Sequence, residues 1–385
     1  MTSTDSRSRA ALARLLIESV TGATGPLPPL VAANPLDLAL EAAGEHRIAP
    51  AVYRRLRGLT ETPDGWLCAF AAVRHLQLMR HLRTTAEIAG ISRVMAAARI
   101  DWLVAKGPVA ADVIWPSPDM REYHDLDIFV AGASFENALT AILDAGGRLV
   151  DRNWPELEGT GRAEIALVGP LGTPIDLHWH IAVPQRLRAV FSLDMPAMFG
   201  RARDVRLSSG LRVRTFDQVD TALHLAFHAA QAGAARLMWS GDLFYASRAA
   251  GFDPAELAAR AQAAGVTRPI ALMLDRVGRS LGLDFPLPQQ FAGPADDAWA
   301  RFVRGGGSVR HFPALPGDLH TGGNLYSGTR RSIPASITAT IAASLQTRRL
   351  ERRINRRGPV ARSLHRDVPD ESARARFFAA AAEER

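Results

Sequence analysis

DWLVAKGPVAADVIWPSPDMREYHDLDIFV, residues 101–130, contains the clearest alternation of strand and helix signals in the chain. A second informative segment, PIDLHWHI, occupies residues 174–181. Gly107 and Pro108 open a predicted helix, since a proline in the first helical turn loses no hydrogen bond. The apolar runs around this helix and in the second segment favour short β-strands: DWLVA, LDIFV and PIDLHW. Strands alternating with helices predict a small sheet with helices packed against it.

Helical periodicity flanks this segment on both sides, with apolar residues at three- and four-residue spacing. We therefore predict an α+β protein in which a small mixed-sheet core lies between N- and C-terminal helical regions. The expected divisions are an N-terminal helical region, the core, a second helical region, and a linker with a basic helical tail: 1–100, 101–215, 216–305 and 306–385.

Basic residues are unevenly distributed. Lys106 is the single lysine among 46 Lys and Arg residues. A guanidinium does not replace a compact ammonium in a tight phosphate site, so this lysine is a candidate binding residue. Residues 330–385 have a net charge of +7, equal to that of the whole chain, so residues 1–329 are neutral overall. The tail could bind nucleic acid, an anionic lipid or an acidic partner, or simply form a solvated helix face.

Three pieces of the core segment contain side chains suited to phosphate and metal chemistry. Lys106 and Gly107 lie between a strand and a helix, where backbone N–H groups attract anions and glycine permits close approach. Asp125 and Asp127 are two residues apart on a strand, so they share a face at roughly 7 Å. Asp176 would meet this pair if the two strands are neighbours. Three carboxylates around one point suit two Mg²⁺ ions about 4 Å apart that hold a triphosphate.

In this order the motifs resemble those of a bacterial family labelled uncharacterised nucleotidyltransferases (NTP_transf_5-like), in the superfamily of DNA polymerase beta. The motifs are LVAKGPVAADVIW, MREYHDLDIFV and PIDLHWHI. The likeness extends upstream to AGEHRIAPAVYRRL and downstream to DTALHLAFHAA and RLMWSGDLFYASR, which covers about residues 10–300. It implies a nucleotidyltransferase core with two Mg²⁺ ions and an NTP as co-substrate.

The resemblance also implies individual roles. Asp125 and Asp127 would bind both Mg²⁺ ions, and Asp176 would bind the catalytic ion and help to deprotonate an acceptor hydroxyl. The nucleotide would be bound by residues around the first two motifs: Lys106, Gly107, Arg121 and His124. Relatives often have glycine in place of His124, whose imidazole could narrow the pocket or touch the phosphates. The implied reaction transfers an NMP to a small-molecule or peptide acceptor, as in natural-product biosynthesis.

Two other function classes stay open. His178 and His180 are two residues apart on a strand and could bind zinc together with the aspartates, which would make the protein a metallohydrolase. Alternatively, the chain keeps the fold without turnover and recruits nucleic acid or a partner through its basic tail. Three mutually repelling carboxylates argue against an idle site, because each charge disfavours its neighbours.

A further histidine pair lies in the downstream helical region. His224 and His228 are four residues apart on an apolar helix. One interpretation makes them core histidines that are hydrogen-bonded to Asp242. The other makes them, with Trp239, part of a helical lid that contacts the base or the acceptor. Four residues are therefore candidates for a supporting layer around the site: His178, His228, Trp239 and Asp242.

Several protein classes are excluded by the motifs. Gly107 follows the single lysine where a P-loop requires Ser or Thr. No Gly-rich loop precedes that lysine, which excludes a protein kinase. Cys68 is the single cysteine and lies in an apolar helical stretch, so a buried structural thiol is expected. We see no signal-peptide pattern and no run of about 20 apolar residues, so a cytoplasmic protein without a membrane span is expected.

Overall fold

The computed structural model describes residues 3–306, 311–318, 323–357 and 363–383. Helices precede the first strand, as the periodicity predicts: α1 (Ser3–Thr21), α2 (Leu36–Glu45), α3 (Ala49–Arg57) and α4 (Trp66–Ala98). Their apolar faces share one core, in which Leu12, Leu16 and Phe70 are buried. This core also takes in Trp115 and Leu237, so it connects the N-terminal helices to later parts of the chain.

A five-stranded mixed sheet follows, and it confirms the predicted fold class. Its strands are β1 (Trp102–Ala105), β2 (Leu126–Val130), β3 (Arg148–Leu149), β4 (Glu164–Val168) and β5 (Pro174–His178). Their spatial order is β1–β2–β5–β4–β3, with β2 and β5 parallel and the other neighbours antiparallel. Every residue of β2 is buried, because helices cover both faces of the sheet at its centre.

Short helices and one hairpin complete the core segment. The elements are α5 (Gly107–Val109), which continues into a π-helical turn (Ala110–Ile114), α6 (Phe135–Asp144), α7 (Trp154–Thr160), α8 (Gln185–Arg188), α9 (Met195–Gly200), β6 (Arg203–Arg206) and β7 (Arg212–Thr215). Strands β6 and β7 form the hairpin that alternation around Gly210 predicts. Gly210 has a φ of +85°, which a glycine adopts without steric cost.

The second helical region covers one face of the sheet. It consists of α10 (Gln218–Gln231), α11 (Leu237–Ala246), α12 (Pro254–Ala264), α13 (Thr267–Ser280), α14 (Gln289–Asp296) and α15 (Ala298–Gly305). Leu103 and Phe129 of the sheet share a buried core with Phe227 of α10 and Leu274 of α13. This packing holds α10 over the strands that carry the aspartates.

The basic tail contributes to the core, which its composition does not indicate. It contains α16 (Gly323–Ser327), α17 (Ile333–Arg357) and α18 (Glu371–Glu383). Phe377 and Phe378 of α18 are buried against Phe135 and Trp154. The interpretation of the tail as a solvated face throughout is therefore wrong for α18. Parts of the predicted linker and tail lie outside the described residues: 307–310, 319–322, 358–362 and 384–385.

The single cysteine lies in α4, and the sequence predicts that its thiol is buried. Cys68 is exposed, so the prediction of a buried thiol is wrong. The residue lies near the start of α4, where Trp66 and Phe70 point into the core and the intervening positions face outward.

Within the described chain, no helix combines the length and the apolar character needed to cross a bilayer.

Candidate functional site

The pairing of β2 with β5 brings two of the predicted carboxylates together. Asp127 lies opposite Asp176 in the parallel register. One possible ligand atom from each of Asp127, Asp176 and His178 lies within 4.8 Å of the others, which is a spacing that could hold a metal ion. Two carboxylates and an imidazole suit a divalent cation. Asp125 precedes β2 and lines the same cavity, but it does not belong to this group of three.

Lys106 neutralises one of these carboxylates. Its Nζ lies 2.6 Å from Oδ1 of Asp127. Burial acts to raise the pKa of Asp127, but the charge of Lys106 and the hydrogen bond from His178 outweigh it and hold that pKa well below the usual range. The single lysine of the chain is thus in direct contact with the candidate metal site.

The turn after Lys106 requires glycine. Gly107 has a φ of +33°, and a Cβ there would lie 3.1 Å from the carbonyl oxygen of Asp125. Lys106 itself has a φ of +47°, which is rare for a residue with a side chain. Such strain is often found where a functional group has to be held in place. The backbone therefore packs tightly between the end of β1 and the residues that precede β2.

Asp176 differs electrostatically from Asp127. Burial raises the pKa of Asp176 to about 6, and the charges of Asp127 and Asp125 act in the same direction, against an opposing effect of His178. This carboxyl group therefore takes up a proton near pH 6, where an ordinary aspartate is ionised. The two aspartates opposite each other on β2 and β5 therefore hold protons very differently in the metal-free protein.

His178 is fixed by three neighbours. Its ring stacks on Phe129 with centroids 4.6 Å apart, and its Nε2 lies 3.2 Å from Oδ1 of Asp127. Its Nδ1 is 3.5 Å from Oε2 of Glu164 on the neighbouring strand. A carboxylate behind an imidazole commonly orients a metal-binding histidine. Sequence analysis missed Glu164, which only the antiparallel register of β4 and β5 brings to this position.

Arg121 lines the cavity and forms a buried ion pair with Asp242. Its Nε and Nη2 donate to the two oxygens of Asp242, at 2.6 and 2.8 Å. Trp115 donates its indole N–H to the same carboxylate at 2.7 Å. Asp242 is thus committed to Arg121 and Trp115, and the prediction that it bonds the His224–His228 pair is wrong.

The pair His224 and His228 lines the cavity from α10. Burial, followed by the charge of Lys106, lowers the pKa of both imidazoles well below the ordinary value, so both are neutral at pH 7. His228 makes an edge contact with the ring of Trp239, which also lines the cavity. His224 is buried and His228 is half-buried. A lid role for the pair, in contact with the base or the acceptor, stays a prediction.

Two of the predicted residues lie apart from the carboxylates. His124 is exposed, is not among the residues that line the cavity, and has its Nε2 3.3 Å from Oε1 of Glu122. His180 lies beyond the end of β5, where its Nδ1 accepts the backbone N–H of Ala182. It does not belong to the group with 4.8 Å spacing. The structure thus brings His178, and not His180, to the aspartates.

The three aspartates, Lys106 and His178 line one cavity of about 1260 Å³. Besides the predicted residues, five arginines that sequence analysis missed line it: Arg47, Arg162, Arg186, Arg236 and Arg330. Of these, Arg47 lies just after α2 and Arg236 just before α11. The tail contributes a wall through α16 and α17, with Asn324 and Ala343 among the lining residues. Arg47 lies within the upstream segment AGEHRIAPAVYRRL, which was the one available signal for it.

Comparison with known proteins identifies the family of the chain. The chain matches the family described as uncharacterised nucleotidyltransferases over residues 33–282, which include both aspartate strands and helices α10 and α11. A comparison with curated proteins finds no match. The match covers well over half of the chain, and the motif order predicts the same family. The protein therefore belongs to the uncharacterised nucleotidyltransferase family (NTP_transf_5).

Proposed function

We propose that the protein is a Mg²⁺-dependent enzyme that transfers an NMP from an NTP to a hydroxyl group of a small molecule or peptide. The observation that carries the proposal is the register of β2 and β5, which sets Asp127 against Asp176 at the wall of a large cavity. The family match supports nucleotidyl transfer as the reaction class. Location in the cytoplasm is part of the same proposal.

The donor set fits a divalent metal. Asp127 and Asp176 offer carboxylate oxygens, the ligands that Mg²⁺ prefers, and Asp125 lines the cavity one residue before β2. His178 offers its Nε2, which faces Asp127, while its Nδ1 lies 3.5 Å from Oε2 of Glu164. When bound, Mg²⁺ would neutralise phosphate charge and make the acceptor hydroxyl easier to deprotonate.

The protein's own residues would accept the proton of the acceptor and bind the phosphates. Asp176 would accept the proton of the acceptor hydroxyl, whose oxygen then forms a bond to the α-phosphorus of the NTP. The bond between that phosphorus and the oxygen bridging to the β-phosphorus breaks, and pyrophosphate leaves with the electron pair. Lys106 and Gly107 would hold the phosphates. Catalysis of this type depends mostly on positioning and on charge stabilisation.

The cavity supports a small acceptor rather than a duplex. Its volume of about 1260 Å³ exceeds the roughly 300–1,000 Å³ of an ordinary ligand pocket, so it has room for a nucleotide and a second molecule. Residues 1–329 are neutral overall, whereas an enzyme that follows a duplex needs a basic groove. Apolar residues such as Ile181, Leu187 and Phe227 line part of the wall. We also propose that the basic tail binds nucleic acid or an acidic partner.

One observation favours a second candidate, a metallohydrolase. His178 belongs to the group that could hold a metal, and an imidazole with two carboxylates also suits zinc. This candidate requires tight zinc binding and hydrolysis without any NTP. Metal analysis of the purified protein distinguishes the two, because bound zinc that is lost together with activity in His178→Ala favours the hydrolase.

The test of the proposal is label transfer. The protein is mixed with Mg²⁺, each NTP labelled at the α-phosphorus, and pools of hydroxyl-bearing small molecules and peptides. We expect the label in a new organic product with one NTP, pyrophosphate release, and a loss of at least about 100-fold in Asp127→Asn, because that carboxylate is a central metal ligand. Asp204→Asn, an exposed carboxylate on β6, is the control. Binding of NTP without transfer would support the idle binding protein instead.

A further inference from the structure

We propose that Arg47 and Arg236 form a second phosphate-binding subsite, which takes the terminal phosphates of the NTP and the pyrophosphate that leaves. This inference rests on the proposed function, since it names how the same cavity holds the far end of the nucleotide. Both arginines line the cavity. They come from helical regions that are far apart in the sequence, in the flanking segments AGEHRIAPAVYRRL and RLMWSGDLFYASR rather than in the three motifs that carry the aspartates and Lys106.

The backbone holds the two arginines side by side. The residue before Arg47, His46, accepts the N–H of Leu237 at its Nδ1 (3.1 Å) and the N–H of Met238 at its carbonyl oxygen (3.2 Å). Its Nε2 lies 2.7 Å from the carbonyl oxygen of Ala314, so the ring carries its proton on Nε2 and donates it there. His46 thus caps the start of α11, directly beside Arg236.

The conformation of Arg47 is unusual for its residue type. It has a φ of +53°, in the left-handed region that is sterically unfavourable for an L residue and that glycine ordinarily fills. Burial, followed by the charge of Arg236, lowers the pKa of Arg47. The two guanidinium charges repel each other, and an anion bound between them would offset that repulsion.

The described part of the chain offers no carboxylate within salt-bridge distance of either arginine, unlike Arg121 and Arg162, which line the same cavity. Arg121 is paired with Asp242, and Arg162 is paired with Glu164. Arg236 lies with its guanidinium carbon 5.1 Å from the centre of the Trp239 ring, which orients it without neutralising it. Two guanidinium groups facing a cavity form a planar, multidentate phosphate site.

The neighbours of Arg47 indicate which phosphates the pair would meet. The acidic groups that act on its charge are Asp125 and Glu122, and Arg121 acts on it as well. Asp125 adjoins the metal-binding strand, so the arginine pair lies at the metal end of the cavity. In this proposal, an NTP whose α-phosphate lies at the metal site beside Asp127 extends its β- and γ-phosphates toward the pair. After transfer, the pair would hold pyrophosphate.

The test compares Arg47→Gln and Arg236→Gln with the wild type and with Arg57→Gln, an exposed arginine of α3 that does not line the cavity. Dissociation constants are measured by calorimetry with Mg²⁺ for inorganic pyrophosphate, inorganic phosphate, the preferred NTP and the matching NMP. We expect each variant to weaken pyrophosphate and NTP about tenfold or more, as for loss of a charge-assisted hydrogen bond, and to leave the NMP within about twofold. Arg57→Gln should match the wild type.

Several outcomes would overturn the inference. Unchanged pyrophosphate and NTP affinity in both variants contradicts it and leaves the proposed function standing. Equal losses for NTP and NMP would assign the pair to the α-phosphate or the nucleoside. Weaker inorganic phosphate with unchanged NTP affinity would assign the pair to a phosphate on the acceptor. If the wild type binds neither NTP nor pyrophosphate with Mg²⁺, both proposals fail. Should a glutamine variant not fold, Arg47→Lys and Arg236→Lys keep the charge and must show intermediate losses.

Discussion

Replacement of Asp176 by asparagine should stabilise the metal-free protein at neutral pH, although it removes a candidate catalytic residue. Asp176 lies opposite Asp127 on adjacent strands. Burial raises its pKa from 3.8 to about 6. A difference of this size corresponds to about 3 kcal/mol at 1.36 kcal/mol per pKa unit.

The sign of the effect follows from proton binding. Because the pKa of Asp176 is higher in the folded than in the unfolded chain, the folded state binds more protons between these two values. The free energy of unfolding therefore falls as the pH rises from about 4 to about 6, and the full cost is present above about pH 7. Asparagine does not ionise, so the variant avoids this cost.

Urea denaturation of both proteins without divalent metal measures the difference. Linkage predicts that Asp176→Asn gains about 3 kcal/mol over the wild type at pH 7.5 and about 1 kcal/mol at pH 4.5. Asp204→Asn is exposed on β6 and should show no such pH dependence. An equal gain at both pH values, or no gain at pH 7.5, would refute the argument that buried charge at Asp176 destabilises the protein.

Three further substitutions test other parts of the site. Lys106→Gln removes the cation 2.6 Å from Asp127, and urea denaturation without metal should show a loss of about 3 kcal/mol that Mg²⁺ partly restores; an unchanged midpoint would contradict the pairing. Gly107→Ala should cost about 1–2 kcal/mol and weaken NTP binding in calorimetry, because its φ is +33° and its Cβ would press on the carbonyl of Asp125; wild-type behaviour would contradict this packing. Phe377→Ala should cost about 3–5 kcal/mol in thermal and urea unfolding, whereas the exposed Phe302→Ala should change stability little; equal effects would contradict burial of α18.

The sequence predicts best where chemistry and local structure coincide. The strands with Asp127 and Asp176 could be identified because an apolar run interrupted by a carboxylate is unusual. Local patterns suggest that these strands are neighbours, but they do not determine the parallel pairing, since register depends on the rest of the sheet. The same limit explains why Glu164 was missed: only the neighbouring antiparallel strand brings it to His178.

Contacts between segments that are far apart in the chain cannot be predicted from local sequence patterns. Arg47 and Arg236 meet because His46 bonds to the start of α11, a contact 191 residues apart in the chain. Asp242 pairs with Arg121 rather than with a histidine, a choice that packing makes. The burial of α18 is similar, because Phe377 and its neighbour need a partner surface that the composition of a basic tail does not reveal.

The most direct test of the central claim is thermal unfolding of the protein with each of the four NTPs, with and without Mg²⁺, alongside Asp125→Ala/Asp127→Ala. At 100 times the dissociation constant, a bound NTP should add about 2.7 kcal/mol of stability, a shift of several degrees. We predict a shift that requires Mg²⁺ and disappears in the double variant. No shift with any NTP, or an equal shift in the double variant, would contradict a metal-dependent nucleotide site at these aspartates.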